Sequence, residues 1–400
     1  MRILHCVESY YPFVSGSSEV VRQLSERMVK AGHDVTVATR KLPEREHASH
    51  NGVKIVEFDI KPASTKSTSI ATGLTGETKQ YQDFLKNSRF DVIMTYAAQQ
   101  WTTDLMFDIM DEIKAKKVLV PCGFSALHDP LFKNYFAQLP AVLKKFDACV
   151  YLSNDYRDID YARQHKLTNS HLIPNGADER EFGPALTKTR QAELKTKYGL
   201  RGLALISVGN ITGEKGHEEL LWVFKRLPVP RATLVAASQK MPGIGWYDEF
   251  VRQAKRVNTS RKFPGKRVVL IDGTKRQEVV DLMKASDMFV FFSNIEASPL
   301  VLFEANAASL PFVASNAGNS AEIAKWTGGG VIVKSHPMAE GRVKVDLKDA
   351  LWKVTRLSLN LVLRRRLGRR GRQAWQAKFT WEKLTDDYLK LYESLVKGAK

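Results

Sequence analysis

The chain has 400 residues, more than a single hydrophobic core ordinarily supports, so two domains of usual size are expected. Its hydrophobic fraction of 44% and charged fraction of 26% are those of a soluble globular protein, and its three cysteines, Cys6, Cys122 and Cys149, have neither the number of a disulfide framework nor the spacing of a zinc site. A formal net charge of +18 favours anionic partners, yet no helix-turn-helix, zinc-finger or RNP pattern accompanies it, so nucleic acid is not an expected partner.

Short β-rich runs alternate with helical patterns along the whole chain. Arg2 to Val7 reads as a strand, and Glu19 to Ala31 as a helix carrying Val20, Val21, Leu24 and Met28 near helical spacing. Gly32 ends that helix before a strand at Val35 to Thr39. Further strands are expected at Val53 to Phe58, Val92 to Tyr96, Lys117 to Val120 and Ala148 to Leu152. Ser64 to Thr78, rich in Ser, Thr and Gly, reads as a mobile loop. The polar stretch Asp178 to Arg201 reads as a hinge. A second strand series follows at Leu203 to Val208, Ala232 to Ala236, Val268 to Ile271, Met288 to Phe292, Phe312 to Ala314 and Gly330 to Val333. A last helix, roughly Trp381 to Val396, carries Leu384, Tyr388, Leu391, Tyr392 and Leu395 on one face. Strands separated by helices imply an α/β fold with parallel sheets, whose ligands bind beyond the carboxyl ends of the strands.

Four segments after strands carry candidate chemistry. In YYPFVSGSSE, Gly16 and Ser17 lead into a helix start, where a bare backbone and unpaired N–H groups suit an anion. In SVGNITGEKGHEELL, Gly209, Asn210, Gly213, Lys215 and Gly216 stand between a strand and a helix, and a lysine beside glycines there suits a diphosphate. The order is not that of the nucleoside-triphosphate P-loop, and the chain has no G-x-G-x-x-G run, which argues against a nicotinamide dehydrogenase. In SNIEASPLVLFEANAASLP, Glu296 lies in a loop and Glu304 lies eight residues on, within the next helix. Pro299 suits the first helical turn, and the N–H groups of Leu300 and Val301 are left for a phosphate. In IPNGADEREF, a Pro-Asn-Gly turn closes the first half. Asp158-Ile159-Asp160 matches an Asp-x-Asp metal pattern but reads as a solvated helix face, the nine histidines lack ligand spacing, and no metal is expected.

Taken in order, these segments resemble family 4 of the retaining glycosyltransferases, which have the GT-B fold of two Rossmann-like domains facing a central cleft. The resemblance runs over nearly the whole chain, through Glu296-x7-Glu304, SLPFVASNAGNSAEI, IPNG, Lys215-Gly216 and the tail FTWEKLTDDYLKLY. It implies an acceptor-side domain at 1–180, a donor-side domain at 181–375, and a final helix at 376–400 crossing back to the first. It implies that Glu296 holds hydroxyls of the transferred sugar, Glu304 the ribose, and Lys215 the diphosphate, aided by the Gly16 and Ser17 loop. Gly209 and Asn210, and the backbone around Ala297, Ser298, Leu300 and Val301, would contact the donor. The donor would be a nucleotide sugar, UDP- or GDP-linked, with no further cofactor. The acceptor would be a glycan or lipid-linked glycan, as in polysaccharide biosynthesis.

The sequence departs from the family pattern at Ser17, where many relatives carry glycine, and at Asn210, where many carry arginine. It departs again at Cys122, where many carry a histidine that contacts the C6 hydroxyl of the donor sugar. Cysteine is a poor hydrogen-bond partner. The expectation is a donor without that hydroxyl, a 6-deoxyhexose or a pentose; the alternative is that His128 supplies the contact, with Gly123 beside it. The cluster Arg364, Arg365, Arg366, Arg369, Arg370 and Arg372 adds an anionic membrane surface as a candidate partner. The start of the chain, MRILHCVESYYP, lacks the apolar run of a signal peptide. A cytoplasmic protein, peripheral at the inner face of the cell membrane, is therefore expected. Competing readings are a GT-B-type sugar-nucleotide epimerase or phosphorylase, and a basic scaffold protein that kept the fold without activity.

Overall fold

The computed structural model describes residues 1–63, 68–240 and 245–398. The chain divides into two compact units, 1–175 with 381–400, and 176–380. The first is built on an eight-stranded sheet. Its strand order is Ser170–Leu172, Ala148–Tyr151, Lys116–Val120, Val92–Tyr96, Arg2–Cys6, Asp34–Arg40, Val53–Phe58, Ser49–His50. All neighbours are parallel except the last pair. The chain starts in the middle, moves to one edge, then returns to the other side of Arg2–Cys6. The switch point therefore lies between Arg2–Cys6 and Val92–Tyr96, where adjacent strands send their following loops to opposite sides.

The second unit has a six-stranded parallel sheet in the order Lys266–Asp272, Ala232–Ser238, Leu203–Val208, Met288–Phe291, Phe312–Ala314, Gly330–Ile332. Alternate residues face opposite sides and both sides are covered. Leu205, Leu234, Ala236 and Val290 pack under the helices His217–Arg226 and Leu347–Leu359. Ile206, Val235, Phe289 and Phe291 pack under Leu300–Ala307 and neighbouring helices. Such two-sided burial is why these strands read as nearly continuous apolar runs. The switch point of this sheet lies between Leu203–Val208 and Met288–Phe291.

Several expectations need correction. The helix expected from Glu19 begins at Gly16, because Ser15 is its N-cap: its hydroxyl accepts from the Ser18 N–H while the Ser18 hydroxyl accepts from the Ser15 N–H. Gly16 and Ser17 thus form the first helical turn rather than a loop. Pro299 sits at the N-cap with extended ψ, one residue before the helix Leu300–Ala307. Residues 64–67 of the stretch expected to be mobile lie outside the described residues. The rest of it holds a 3-10 turn at Ile70–Thr72 and a strand Leu74–Gly76 paired with Ile60–Pro62. The polar 178–201 segment carries the helices Glu179–Phe182 and Lys188–Tyr198, whose Phe182 and Leu194 are buried in the core of the second unit. Most of its charges are exposed, but Asp178 is buried and Glu181 turns inward to pair with Arg276. The final helix, Trp381–Lys397, belongs to the first unit and buries Leu384, Tyr388, Leu391 and Tyr392, with Leu395 half-buried.

Candidate active site

The second unit brings its sequence-predicted residues together at the switch point. Gly209 to Gly216 follow one central strand and Ser293 to Pro299 follow the other. The two loops are tied by the backbone, the Asn294 N–H donating to the Glu214 carbonyl at 2.7 Å. Lys215 Nζ donates to Glu296 Oε1 at 2.6 Å, so the two residues singled out for chemistry meet directly. Gly216 makes this geometry available. It stands at φ +68, and a Cβ there would lie 2.0 Å from the Phe292 carbonyl oxygen, so only glycine lets the loops approach. The Asn210 side chain accepts from the Gln239 N–H at 3.3 Å, tying its loop to the next strand end. Gly209 has no close neighbour, its nearest would-be Cβ contacts being Lys215 Cγ and Phe291 Cε2 at 4.0 Å.

The Glu296 loop is braced from behind. The Ala297 carbonyl accepts from the Asn319 N–H at 3.0 Å, and Gly318, at φ +57, would place a Cβ 2.5 Å from that same carbonyl oxygen. The helix Leu300–Ala307 then starts without any side-chain cap. The N–H groups of Leu300 and Val301 have no acceptor within the helix and carry the positive end of its dipole. Both residues are half-buried. Glu304, one turn on, is buried, and its Oε1 accepts from Arg276, which also pairs with Glu181 at 2.8 Å. The other oxygen of Glu304, Oε2, is buried with no hydrogen-bond partner. Arg276 was not singled out from the sequence; its position at the first turn after the strand Lys266–Asp272 was the available signal. His217 begins the helix after Gly216, and burial, with Lys215 nearby, pushes its pKa down to about 4, so the ring is neutral at physiological pH.

In the first unit the remaining candidates lie after its strands. Gly16 would meet nothing within 4 Å of a Cβ, so the fold does not require glycine there. Ser17 Oγ lies 3.2 Å from Ser15 Oγ. Cys122 is half-buried, with its thiol 3.9 Å from the Tyr96 hydroxyl, and takes a left-handed φ of 58; Gly123 and Phe124 follow at φ 92 and 46. Three successive positive φ values mark a turn held by its surroundings against local preference. His128 is exposed in the following turn.

What holds the Cys122 turn is Asp158, and here the reading of Asp158 as part of a solvated face is overturned. Asp158 is buried, and its Oδ2 accepts from the Gly123 N–H at 2.9 Å. Arg157 Nε donates to the Gly123 carbonyl at 2.6 Å. Burial pushes the Asp158 carboxyl up to about 6 despite these bonds. Asp160 alone is exposed, paired with Arg163 at 2.9 Å. Asp158 stands three and four residues before Tyr161 and Ala162, both buried, and that shared face was the missed signal. A second buried carboxylate, Asp104, accepts from the Ser69 and Tyr135 hydroxyls and the Gln99 N–H, and burial raises it likewise to about 6. It shapes the loop after Val92–Tyr96, where Ala97 and Gln99 also take positive φ. Among the described residues, no group of three or more His, Cys, Asp or Glu could hold a metal ion.

Residues 15–176 match the model of the glycosyl transferase 4-like domain, and residues 193–373 match that of glycosyl transferases group 1. The chain belongs to family 4 of the GT-B glycosyltransferases. It is 24% identical over 252 residues to the UDP-Gal:alpha-D-GlcNAc-diphosphoundecaprenol alpha-1,3-galactosyltransferase of Escherichia coli, covering 58% of this chain and 59% of that protein. The matches to the first curated relatives span 49–59% of their lengths. The sucrose-phosphate synthase of Thermosynechococcus elongatus superposes with a TM-score of 0.79 at 18% identity, covering 100% of both chains. HepE of Anabaena, solved in complex with UDP and glucose, superposes with a TM-score of 0.74 at 13% identity, covering 98% of this chain and 100% of that one. Among the described residues, no helix is long and apolar enough to cross a membrane.

Proposed function

We propose that this protein moves a sugar from a nucleotide-sugar donor to a hydroxyl of a glycan or lipid-linked glycan, with retention of anomeric configuration. The carrying observation is the Lys215–Glu296 pair at the switch point, beside the uncapped start of Leu300–Ala307. A diphosphate seated on the Leu300 and Val301 N–H groups meets the helix dipole and the Lys215 ammonium together. Lys215 in this pair is partly solvated, and a donor diphosphate offers its ammonium a doubly charged partner in place of Glu296. Lys215 then turns to the phosphates, and the Glu296 carboxylate accepts from sugar hydroxyls. The unpartnered Oε2 of Glu304 accepts from the ribose.

As the bond from the anomeric carbon to the diphosphate oxygen breaks, negative charge grows on that diphosphate. The lysine and the helix start stabilise it. The departing oxygen takes the proton of the acceptor hydroxyl as the new glycosidic bond forms on the same face. A UDP-linked donor, ahead of GDP, is supported by what the Escherichia coli relative is named for and what HepE was solved with. The lipid diphosphate in the relative's name supports a lipid-linked acceptor and a cytoplasmic protein peripheral to the membrane. Cys122 supports a 6-deoxyhexosyl or pentosyl donor, and turnover favouring a matched donor that carries the C6 hydroxyl would sink that part.

The test is a thermal-shift panel of UDP-, GDP-, dTDP- and ADP-sugars with Glu296→Ala and Lys215→Ala beside the wild type. A ligand at a hundred times its dissociation constant adds about 2.7 kcal/mol. One base class should stabilise the wild type and neither variant. Absence of any shift at millimolar donor would overturn the transferase reading.

A further inference from the structure

The helix Leu361–Lys378 has no role in the site above, and its composition is unusual. It contains Arg364, Arg365, Arg366, Arg369, Arg370 and Arg372 and no acidic residue. Like charges three and four residues apart repel along a helix, so such a run persists against a local cost. Two of the arginines have structural work. Arg364 donates to the Leu357 and Ser358 carbonyls, and Arg372 to those of Phe182, Gly183 and Ala307. Arg365, Arg366, Arg369 and Arg370 have no acidic partner among the described residues. Arg365, Arg369 and Arg372 line a cavity of about 490 Å³ with Ser309 and Gln373.

A second observation lies at the start of the same helix. The preceding helix, Leu347–Leu359, hands over to it through Asn360, whose side chain accepts from the Leu363 N–H at 2.8 Å. At this corner Leu359 is 64% exposed, Leu361 46% and Val362 78%, and Trp352 on the preceding helix is 56% exposed. Scattered exposed apolar residues are ordinary, but four within eleven positions beside a cationic helix are a pattern. Positions 361, 365, 369 and 372 recur at helical spacing, so the apolar tip and the arginine-lined cavity share one face.

We propose that this corner docks on an anionic phospholipid bilayer. Leu359, Leu361 and Val362 enter the interface, Trp352 sits at headgroup level, and the cavity of Arg365, Arg369 and Arg372 receives lipid phosphates. Interfacial elements combine these two features, apolar side chains on one part and arginines on the other. A soluble anion accounts for the arginines and leaves the exposed apolar tip unexplained. A second copy of the chain would bring like charge against like charge. The proposal rests on the peripheral-membrane reading above and adds its location.

Co-sedimentation tests it at physiological salt, with vesicles of phosphatidylcholine alone and of phosphatidylcholine with phosphatidylglycerol. The proteins compared are the wild type, Arg365→Glu/Arg369→Glu and Leu361→Ser/Val362→Ser. All four positions are solvent-accessible, and unchanged melting temperatures certify folding. The wild type should bind only the anionic vesicles, and each double variant should bind them at least about tenfold more weakly. If the wild type binds no vesicle, the membrane reading itself fails. If the wild type binds and both variants bind equally well, membrane attachment stands and this location is overturned. If millimolar inorganic phosphate displaces the protein while the serine variant binds like the wild type, the cavity is a soluble-anion site and the proposal falls.

Discussion

Replacing Asp158 by asparagine probes the buried carboxylate beneath the Cys122 turn. In the folded chain burial moves its carboxyl from an ordinary 3.8 to about 6. Each unit of that difference corresponds to 1.36 kcal/mol, so the whole is roughly 3 kcal/mol. An acid whose folded pKa is raised is fully stabilising only below its unfolded value. As pH rises through about 4 to 6 the unfolded chain releases its proton first, and the wild type loses that contribution. Asparagine has no proton to lose. It does weaken one of the two N–H contacts, to Gly123 or to Ile159, a pH-independent cost of about 1–2 kcal/mol. The melting temperature of Asp158→Asn minus that of the wild type should therefore be negative near pH 4 and rise by roughly 6–12 °C towards pH 7.5. Asp104 titrates in both proteins and cancels in the difference. Thermal unfolding across that pH range is the assay, and a difference that stays constant would refute the assignment of a buried, raised Asp158.

Arg276→Ala removes the partner of the buried Glu304 and the neighbouring Glu181, and should destabilise by about 1–3 kcal/mol in urea unfolding, because it leaves the Glu304 carboxylate without its cation while the arginine it loses is partly exposed. Gly216→Ala forces a Cβ against the Phe292 carbonyl at positive φ and should cost roughly 3 kcal/mol, read as a lower melting temperature and a loss of donor-induced stabilisation. Gly16→Ala should leave melting unchanged or raise it by up to about 1 kcal/mol of stability, since alanine favours the first helical turn and meets no neighbour, while lowering kcat/KM. Unchanged turnover in that variant would show that the bare backbone at Gly16 has no ligand to admit.

Much of the fold was legible because local patterns agree with it. Every expected strand appears within two residues of its expected ends, since strands covered on both faces read as apolar runs whatever their partners. Element ends were less legible. The Ser15 cap competes with Gly16 and Ser17 as turn residues, and three-dimensional hydrogen bonding, not propensity, decides where the helix begins. The 178–201 segment misled for a related reason. Its helices are mostly polar, and their few buried contacts, Phe182 and Leu194, cannot be told from chance apolar residues without the surface they pack on.

For the candidate site, the sequence alone determined which residue types follow which strands: Lys215 among glycines, Glu296 and Glu304 eight apart, and Cys122 before Gly123. Strand order decided which of them meet. Lys215 and Glu296 are 81 residues apart and bond only because their strands are neighbours at the centre of the sheet. Arg276 meets Glu304 although the strands before them, Lys266–Asp272 and Met288–Phe291, are not adjacent, and Asp158 meets Gly123 from the adjacent strands Ala148–Tyr151 and Lys116–Val120; no spacing rule joins either pair. Periodicity reports the face of an element, whereas the charge state and partner of a buried side chain depend on what the remainder of the chain packs against that face. Periodicity could place Asp158 on the buried face of its helix, but only tertiary structure supplied the Gly123 N–H and the packing that make it a buried acid.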